Sequence, residues 1–261
     1  MELHLRGRHA LVTGASAGIG LAVARGLAAE GCNLVLVSRT ERALKEVAAA
    51  IRAEHDVNVH VAPADLSRDG AAEALAARHG EVDILVNNAG AIPGGTIAEV
   101  DQARWREGWE LKVFGFIAMT RAFYARMQTR RSGVIVNVIG ASGTGVDHRY
   151  IAGSTGNAAL EALTKALGVG STEHGVRIVG VSPGVVLTER SKALLEARAK
   201  ANFGDAHRWR ELLRHLPFGR TATTDEIAAA VVFLASDRSG YTSGTIMTID
   251  GGQSQRTNWW G

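Results

Sequence analysis

The chain has 261 residues, 46% of them hydrophobic and only 5% aromatic, with 31 glycines. A formal charge of +3 without a run of like charges excludes nucleic-acid binding as its main role. One cysteine, Cys32, excludes an intramolecular disulfide and a cysteine-built metal cluster. Arg6 and Arg8 ahead of an apolar stretch imitate a secretion signal, but glycines and Arg25 interrupt it. No window is long and apolar enough to span a bilayer. A soluble cytoplasmic protein that binds no metal, no membrane and no nucleic acid is expected.

Ala10, Leu11 and Val12 read as the end of a buried strand, and Ile19, Val23 and Leu27 fall on one face of a helix. Between them lies Thr13-Gly14-Ala15-Ser16-Ala17-Gly18-Ile19-Gly20, spaced Gly-x-x-x-Gly-x-Gly. A glycine turn between strand and helix lets the backbone approach a phosphate, with Gly14, Ser16, Gly18, Ile19 and Gly20 as candidates to hold it.

Leu34–Val37 predict a second strand, followed by a helix through Leu44, Val47, Ala48 and Ile51. Val57, Val59 and Val61 alternate as a third strand ending near Ala64-Asp65-Leu66. A helix over 68–78 and the strand Ile84-Leu85-Val86 come next. A long helix is predicted from an Asp101 N-cap towards Met127, with Trp105 and Trp109 on one face. Val134–Val138 is a strand, Ala159, Leu160, Leu163 and Leu167 mark a helix, and Val176–Val181 form a strand closed by Ser182-Pro183-Gly184. Thr223 and Glu226 make a capping box, and Thr245–Ile249 supply a last strand. Alternating strands and helices without a linker predict one three-layer, doubly wound parallel α/β domain of Rossmann type over residues 1–261.

Together these motifs resemble the short-chain dehydrogenase/reductase family over essentially the whole chain. Asn87-Asn88-Ala89-Gly90 resembles its Asn-Asn-Ala-Gly motif beside the cofactor, and Asp65-Leu66 the pair that contacts adenine. Pro183, Gly184, Val186 and Thr188 resemble its segment near the nicotinamide, and Asp250-Gly251-Gly252 its C-terminal pattern. The resemblance implies hydride transfer between a nicotinamide dinucleotide and a carbonyl or alcohol. It also implies a Ser-Tyr-Lys group, often with an Asn, for the proton.

That group is altered here. Ala158-Ala159-Leu160 resembles the segment after the family's lysine. This register puts Asn157 at the lysine position, Gly153 at the tyrosine, Gly140 at the serine and Lys112 at the asparagine. Three readings stay open. Tyr150, one helical turn early, takes over the acid–base work with Ser142, Ser154 or His148 nearby and Lys112 supplying positive charge. Alternatively, the chain binds a nicotinamide nucleotide without turnover, as a sensor or partner subunit. In the third, water or the substrate handles the proton.

Ser38-Arg39-Thr40 follows the second strand with no carboxylate before Glu41, which favours NADP(H) over NAD(H) through Arg39 and Ser38. Residues 188–220 correspond to the family's substrate lid. They hold eight Lys/Arg against four acids, an excess that draws an anionic small-molecule substrate. The plainer alternative is a pair of solvated helices anchored by Leu194, Leu195, Leu212 and Leu213. Trp259 and Trp260 are expected to pack on another subunit or the site mouth. The resemblance implies a homotetramer or homodimer through the helices around 101–127 and 154–168.

Overall fold

The computed structural model describes residues 1–256, so the expectation for Trp259 and Trp260 lies outside the described residues. Seven parallel strands form one sheet: β1 (His9–Thr13), β2 (Asn33–Ser38), β3 (Val59–Pro63), β4 (Ile84–Asn87), β5 (Gly133–Val138), β6 (Val176–Pro183) and β7 (Ile246–Ile249). Their order is β3-β2-β1-β4-β5-β6-β7. Leu11 of β1 stands opposite Val35 on one side and Leu85 on the other, so the order reverses between β1 and β4.

Successive side chains of a strand serve opposite faces. Ala10, Val12, Leu34, Leu36 and Val86 face α1 (Gly18–Ala29), α2 (Glu41–Glu54) and, towards β5, residues Ile227 and Val231. Leu11, Val35, Leu85 and Ile135 face α3 (Ala71–Arg78), and Met119, Phe123 and Met127 complete that side. Both faces are covered, which is why the strands read as continuous apolar runs.

The stretch predicted as one helix from Asp101 is divided. α4 (Gln102–Trp109) starts on the Asp101 side chain, which accepts from the Arg104 N–H at 2.9 Å. A wide π turn over Glu110–Phe114 follows, then α5 (Gly115–Arg130). The wide turn buries Lys112 and Val113. The third helix starts at Ala71 rather than 68, because Asp65 folds onto Ser67 and Gly70 (φ +79°) closes a turn first. α6 (Ile151–Gly170), α7 (Glu189–Phe203) and α8 (Thr224–Ala235) complete the layers, α8 behind the expected Thr223–Glu226 capping box.

Beyond α7 the chain forms a 3₁₀ segment over Ala206–Leu213. Trp209, Leu213 and Leu216 pack with Ala199, and Leu195 and Leu212 lean on them. Leu194 is no anchor: it is 64% exposed, because it faces away from this small core. None of the described helices is long and apolar enough to cross a membrane.

Candidate functional site

The crevice where the strand order reverses is built from backbone. The Thr13 hydroxyl donates to Val86 O at 3.3 Å and accepts from the N–H groups of Asn88 and Ala89 at 2.8 and 3.0 Å. The Asn88 amide donates to Thr13 O at 3.0 Å. Gly14 (φ +68°) and Gly18 (φ +56°) turn the chain into α1. A Cβ on Gly20 would lie 2.3 Å from Gly14 O, so a side chain has no room there.

Ala17 precedes α1 and offers no capping side chain, and the first turn carries no acid. Its leading N–H groups therefore face the crevice without a side-chain partner, as an anion requires. These residues fit the diphosphate of a dinucleotide.

One cleft of about 1320 Å³ collects most of the expected residues. Gly14, Gly18, Ile19, Asn88, Ala89 and Gly90 line it from β1, α1 and β4. Pro183, Gly184, Val186 and Thr188 line it from β6 and the start of α7. Lys112, Ser142 and Tyr150 line its floor. Gly20 lies beneath the wall, while Ser16, Ser38, Arg39, Asp65 and Leu66 lie off it.

At the end of β2 the Ser38 hydroxyl is buried without a partner among the described residues. Arg39 is exposed and, among the described residues, makes no ion pair. The Asp65 carboxylate accepts from the Ser67 hydroxyl and N–H at 2.6 and 3.1 Å, which holds it below the usual carboxylate range.

The floor is built from side chains. Tyr150 precedes α6, and Ile151 N–H donates to Gly95 O at 3.2 Å. The ring packs among Ile92, Val100, Trp105 and Trp109. A Cβ on Gly153 would lie 2.0 Å from its Cε1 and 2.1 Å from its Cζ. The Tyr150 ring therefore fills the space left by the absent side chain at 153. Burial raises the phenol's pKa, and Arg190 opposes this weakly.

Lys112 lies against Gly90, where a Cβ would come within 2.4 Å of its Cδ. Its Nζ donates to Val138 O at 2.6 Å and sits 4.3 Å from the Phe116 ring centre. It is 8% exposed, and desolvation alone lowers its pKa to about 7. Lys112 thus holds its proton less firmly than an exposed lysine, because among the described residues nothing anionic pairs with it to offset burial.

The Asn157 amide donates to Ser142 Oγ at 2.9 Å, and a Cβ on Gly140 would lie 2.7 Å from that amide nitrogen. Asn157 Oδ1 is buried without a partner. Ser154 is occupied by Asp147, whose N–H donates to its Oγ at 3.1 Å. His148 has an 81% exposed side chain and does not line the cleft.

Sequence reading missed the contributions of Arg190, Gln253, Ser254 and Arg256 to the cleft. The signal for the last three was the Asp250-Gly251-Gly252 turn. Its Asp250 carboxylate accepts from the N–H groups of Gly252 and Ser254 at 2.8 and 2.7 Å and bends the chain back over the site.

A parallel sheet with a glycine-walled crevice at its reversal point defines the doubly wound nucleotide-site class of α/β proteins. A family model described as enoyl-(acyl carrier protein) reductase matches residues 14–254. Galactitol 2-dehydrogenase (L-tagatose-forming) of Cereibacter sphaeroides is 37% identical over 254 residues, 95% of each chain. The 3-oxoacyl-[acyl-carrier-protein] reductase of Escherichia coli is 30% identical over 253 residues, 96% of this chain and 98% of that one. The solved L-sorbose reductase of Gluconobacter frateurii, complexed with NADPH and L-sorbose, superposes with a TM-score of 0.90. It is 30% identical and is covered for 98% of this chain and 100% of that one. The chain belongs to the short-chain dehydrogenase/reductase family of oxidoreductases.

Proposed function

We propose that the protein is an NADP(H)-dependent oxidoreductase that interconverts a carbonyl and an alcohol on a small polyhydroxylated substrate, with a rebuilt proton-handling site. The observation that carries this reading is the meeting, in one cleft, of a bare-backbone anion cradle with three polar side chains, Tyr150, Ser142 and Lys112. Two relatives named for galactitol and L-sorbose support the substrate class. The nicotinamide, when bound, supplies or accepts the hydride.

The chain's own residues divide the remaining work. Gly14, Gly18, Ile19 and Gly20 hold the diphosphate. Asp65 and Leu66 border the adenine, and Asn88, Ala89, Gly90, Pro183, Gly184, Val186 and Thr188 enclose the nicotinamide end. Ser16 supports the opening turn. Ser38 and Arg39 receive the 2′-phosphate, with NAD(H) as the weaker alternative. The first carboxylate after β2, Glu41, is bonded to Lys45 at 2.7 Å, and Asp65, which Arg39 reaches electrostatically, is held by Ser67. The Tyr150 phenol, whose pKa burial raises more than Arg190 lowers it, stays protonated and donates to the substrate oxygen together with Ser142.

Residues 188–220 act as the lid. Arg190 is the lid cation on the cleft wall, whereas Arg208, Lys192 and Arg220 pair with Glu211, Glu196 and Glu226. Within the lid, any attraction for an anionic substrate therefore falls to Arg190, with Arg256, outside the lid, adding to it from the cleft wall. We further place the protein in the cytoplasm as a homotetramer or homodimer.

A second reading, nicotinamide-nucleotide binding without turnover, is favoured by the neutral Asn157 and the displaced tyrosine. Titration with NADPH and NADH, beside turnover of galactitol, L-sorbose and a wider ketone and alcohol panel, separates the two. Binding with turnover, reduced at least tenfold in Tyr150→Phe, supports the enzyme. Binding without any turnover establishes the second reading, and absence of binding removes both.

A further inference from the structure

Three glycines in or beside the cleft are each matched by a polar side chain lying where their own would be. Tyr150 fills the place at Gly153, Asn157 the place at Gly140, and Lys112 the place at Gly90. Gly153 and Gly140 are the two that replace the family's tyrosine and serine; a site that had merely lost that chemistry would leave voids there, and both places are filled to van der Waals contact or closer. The filling is selective in its chemistry. It places a primary amine at the ends of β4 and β5, in the cleft that the hydroxyl-bearing side chains of Tyr150 and Ser142 also line.

Burying a lysine is costly unless an anion accompanies it. Among the described residues none does. The titratable and charged groups on the surrounding elements are Glu110 on its own turn, Tyr150 and Glu161 of α6, Asp147 and Arg149 before α6, and Arg190 of α7. Glu110 is exposed, and Glu161 is engaged by the hydroxyls of Thr144 and Ser182 at 3.1 and 3.3 Å. Asp147 pairs with Arg149 at 3.6 Å. The Lys112 amine donates to the carbonyl of Val138 and lies over the Phe116 ring, which fix Nζ on a side chain that lines the cleft. An amine held in that way at neutral pH has a lone pair available as a base.

Resting on the oxidoreductase reading above, we propose that Lys112 Nζ is the atom that exchanges the proton with the substrate hydroxyl. In oxidation the substrate O–H bond breaks, an N–H bond forms on Lys112, and the carbon–oxygen double bond forms as hydride leaves carbon with its electron pair for the nicotinamide. The resulting ammonium releases its proton to solvent through the cleft mouth. In reduction the same ammonium returns a proton to the nascent alkoxide while Tyr150 and Ser142 hold the oxygen. Lys112 would then be a catalytic residue, and Asn157 a positioning residue that fixes Ser142. Burial alone lowers the amine's pKa to about 7, within the range where one group can both accept and give a proton.

The test uses full-length protein labelled with ε-¹³C lysine. Its five lysines are Lys45, Lys112, Lys165, Lys192 and Lys200. The signal absent from Lys112→Gln is expected to titrate near pH 7. Turnover of a panel substrate in wild type should show a limb at the same pH. Lys112→Gln should lose that limb, with at least a hundredfold lower kcat and NADPH affinity within threefold. Lys112 titrating with the other lysines overturns the proposal, as does an unchanged limb in Lys112→Gln. Failure of wild type to bind NADPH removes the underlying reading instead. Binding without turnover of any substrate also overturns the proton assignment.

Discussion

The crevice and the floor of the cleft both depend on glycine, for opposite reasons. At the crevice a Cβ on Gly20 would strike the Gly14 carbonyl, and one on Gly14 would come within 3.1 Å of Ala89 Cα. At the floor a Cβ on Gly153 would strike the Tyr150 ring, and one on Gly140 the Asn157 amide. Backbone cannot yield, whereas a side chain can be trimmed. Crevice glycines thus let the turn and the segment after β4 pack closely enough to shape the ligand's cradle, and floor glycines keep space for another side chain of the same chain. A ligand held by backbone constrains the sequence tightly. A proton-handling group made of side chains can be rebuilt from different positions.

The largest expected effect tests the first half of that comparison. Gly20→Ala should lower NADPH affinity at least a hundredfold, roughly 2.7 kcal/mol, and lower Tm by several degrees, with no trimmed neighbour restoring either. Fluorescence titration and calorimetry measure both. Binding within threefold of wild type would show that the turn can shift and that the crevice is not backbone-limited.

Next in size is the pH dependence of Lys112. The unfolded chain holds this proton up to about pH 10.5, and the folded chain only below about 7. Between those limits the unfolded state carries the extra proton, so wild-type stability climbs with pH, by about 1.4 kcal/mol per unit from this group. Below pH 7 the contribution is flat. In Lys112→Met that slope should vanish. Denaturant unfolding at pH 7, 8 and 9 reads the difference between the two chains, and parallel curves would mean that Lys112 keeps its charge when buried.

A smaller effect carries a sign that is harder to reach by accident. Gly153→Ala in the wild-type chain should cost about 1–3 kcal/mol through the clash with Tyr150. In a Tyr150→Ala background the same change should stabilise by about 0.5–1 kcal/mol, because alanine replaces an α6 glycine once the ring that met its Cβ is gone. Additive effects in the double-mutant cycle would show that Tyr150 does not occupy that space.

The contrast also explains what was legible in the sequence. The crevice was readable because its constraint is a residue type at fixed spacing, with Gly14, Gly18 and Gly20 between an apolar run and a helical period. Fold class followed from the same alternation. The substitutions at 112, 140, 153 and 157 were equally visible, but their meaning was not. That Tyr150 lies over Gly153 depends on a backbone bridge to Gly95, more than fifty residues away in the chain. The turn of Lys112 towards Val138 depends on the wide π turn at Glu110–Phe114, where the apolar period shows no break. Leu194 misled because helical spacing alone does not say which face a small satellite core covers.

The smallest expected effect lies at the edge of the crevice, where backbone gives way to a side chain. Arg39 is exposed, so its pairing with a 2′-phosphate competes with water and salt. Arg39→Ala should weaken NADPH by about tenfold, or roughly 1.4 kcal/mol, while NADH affinity stays within twofold. The wild-type preference for NADPH should shrink as ionic strength rises, because charge and not shape makes the distinction. Ser38 sharpens the test. Its hydroxyl is buried and unpartnered, so Ser38→Ala should cost little or no stability and a few-fold in NADPH affinity alone. Equal losses for both dinucleotides in Arg39→Ala would instead mean that the guanidinium stacks on adenine. The selectivity would then have to come from backbone, as the rest of the crevice does.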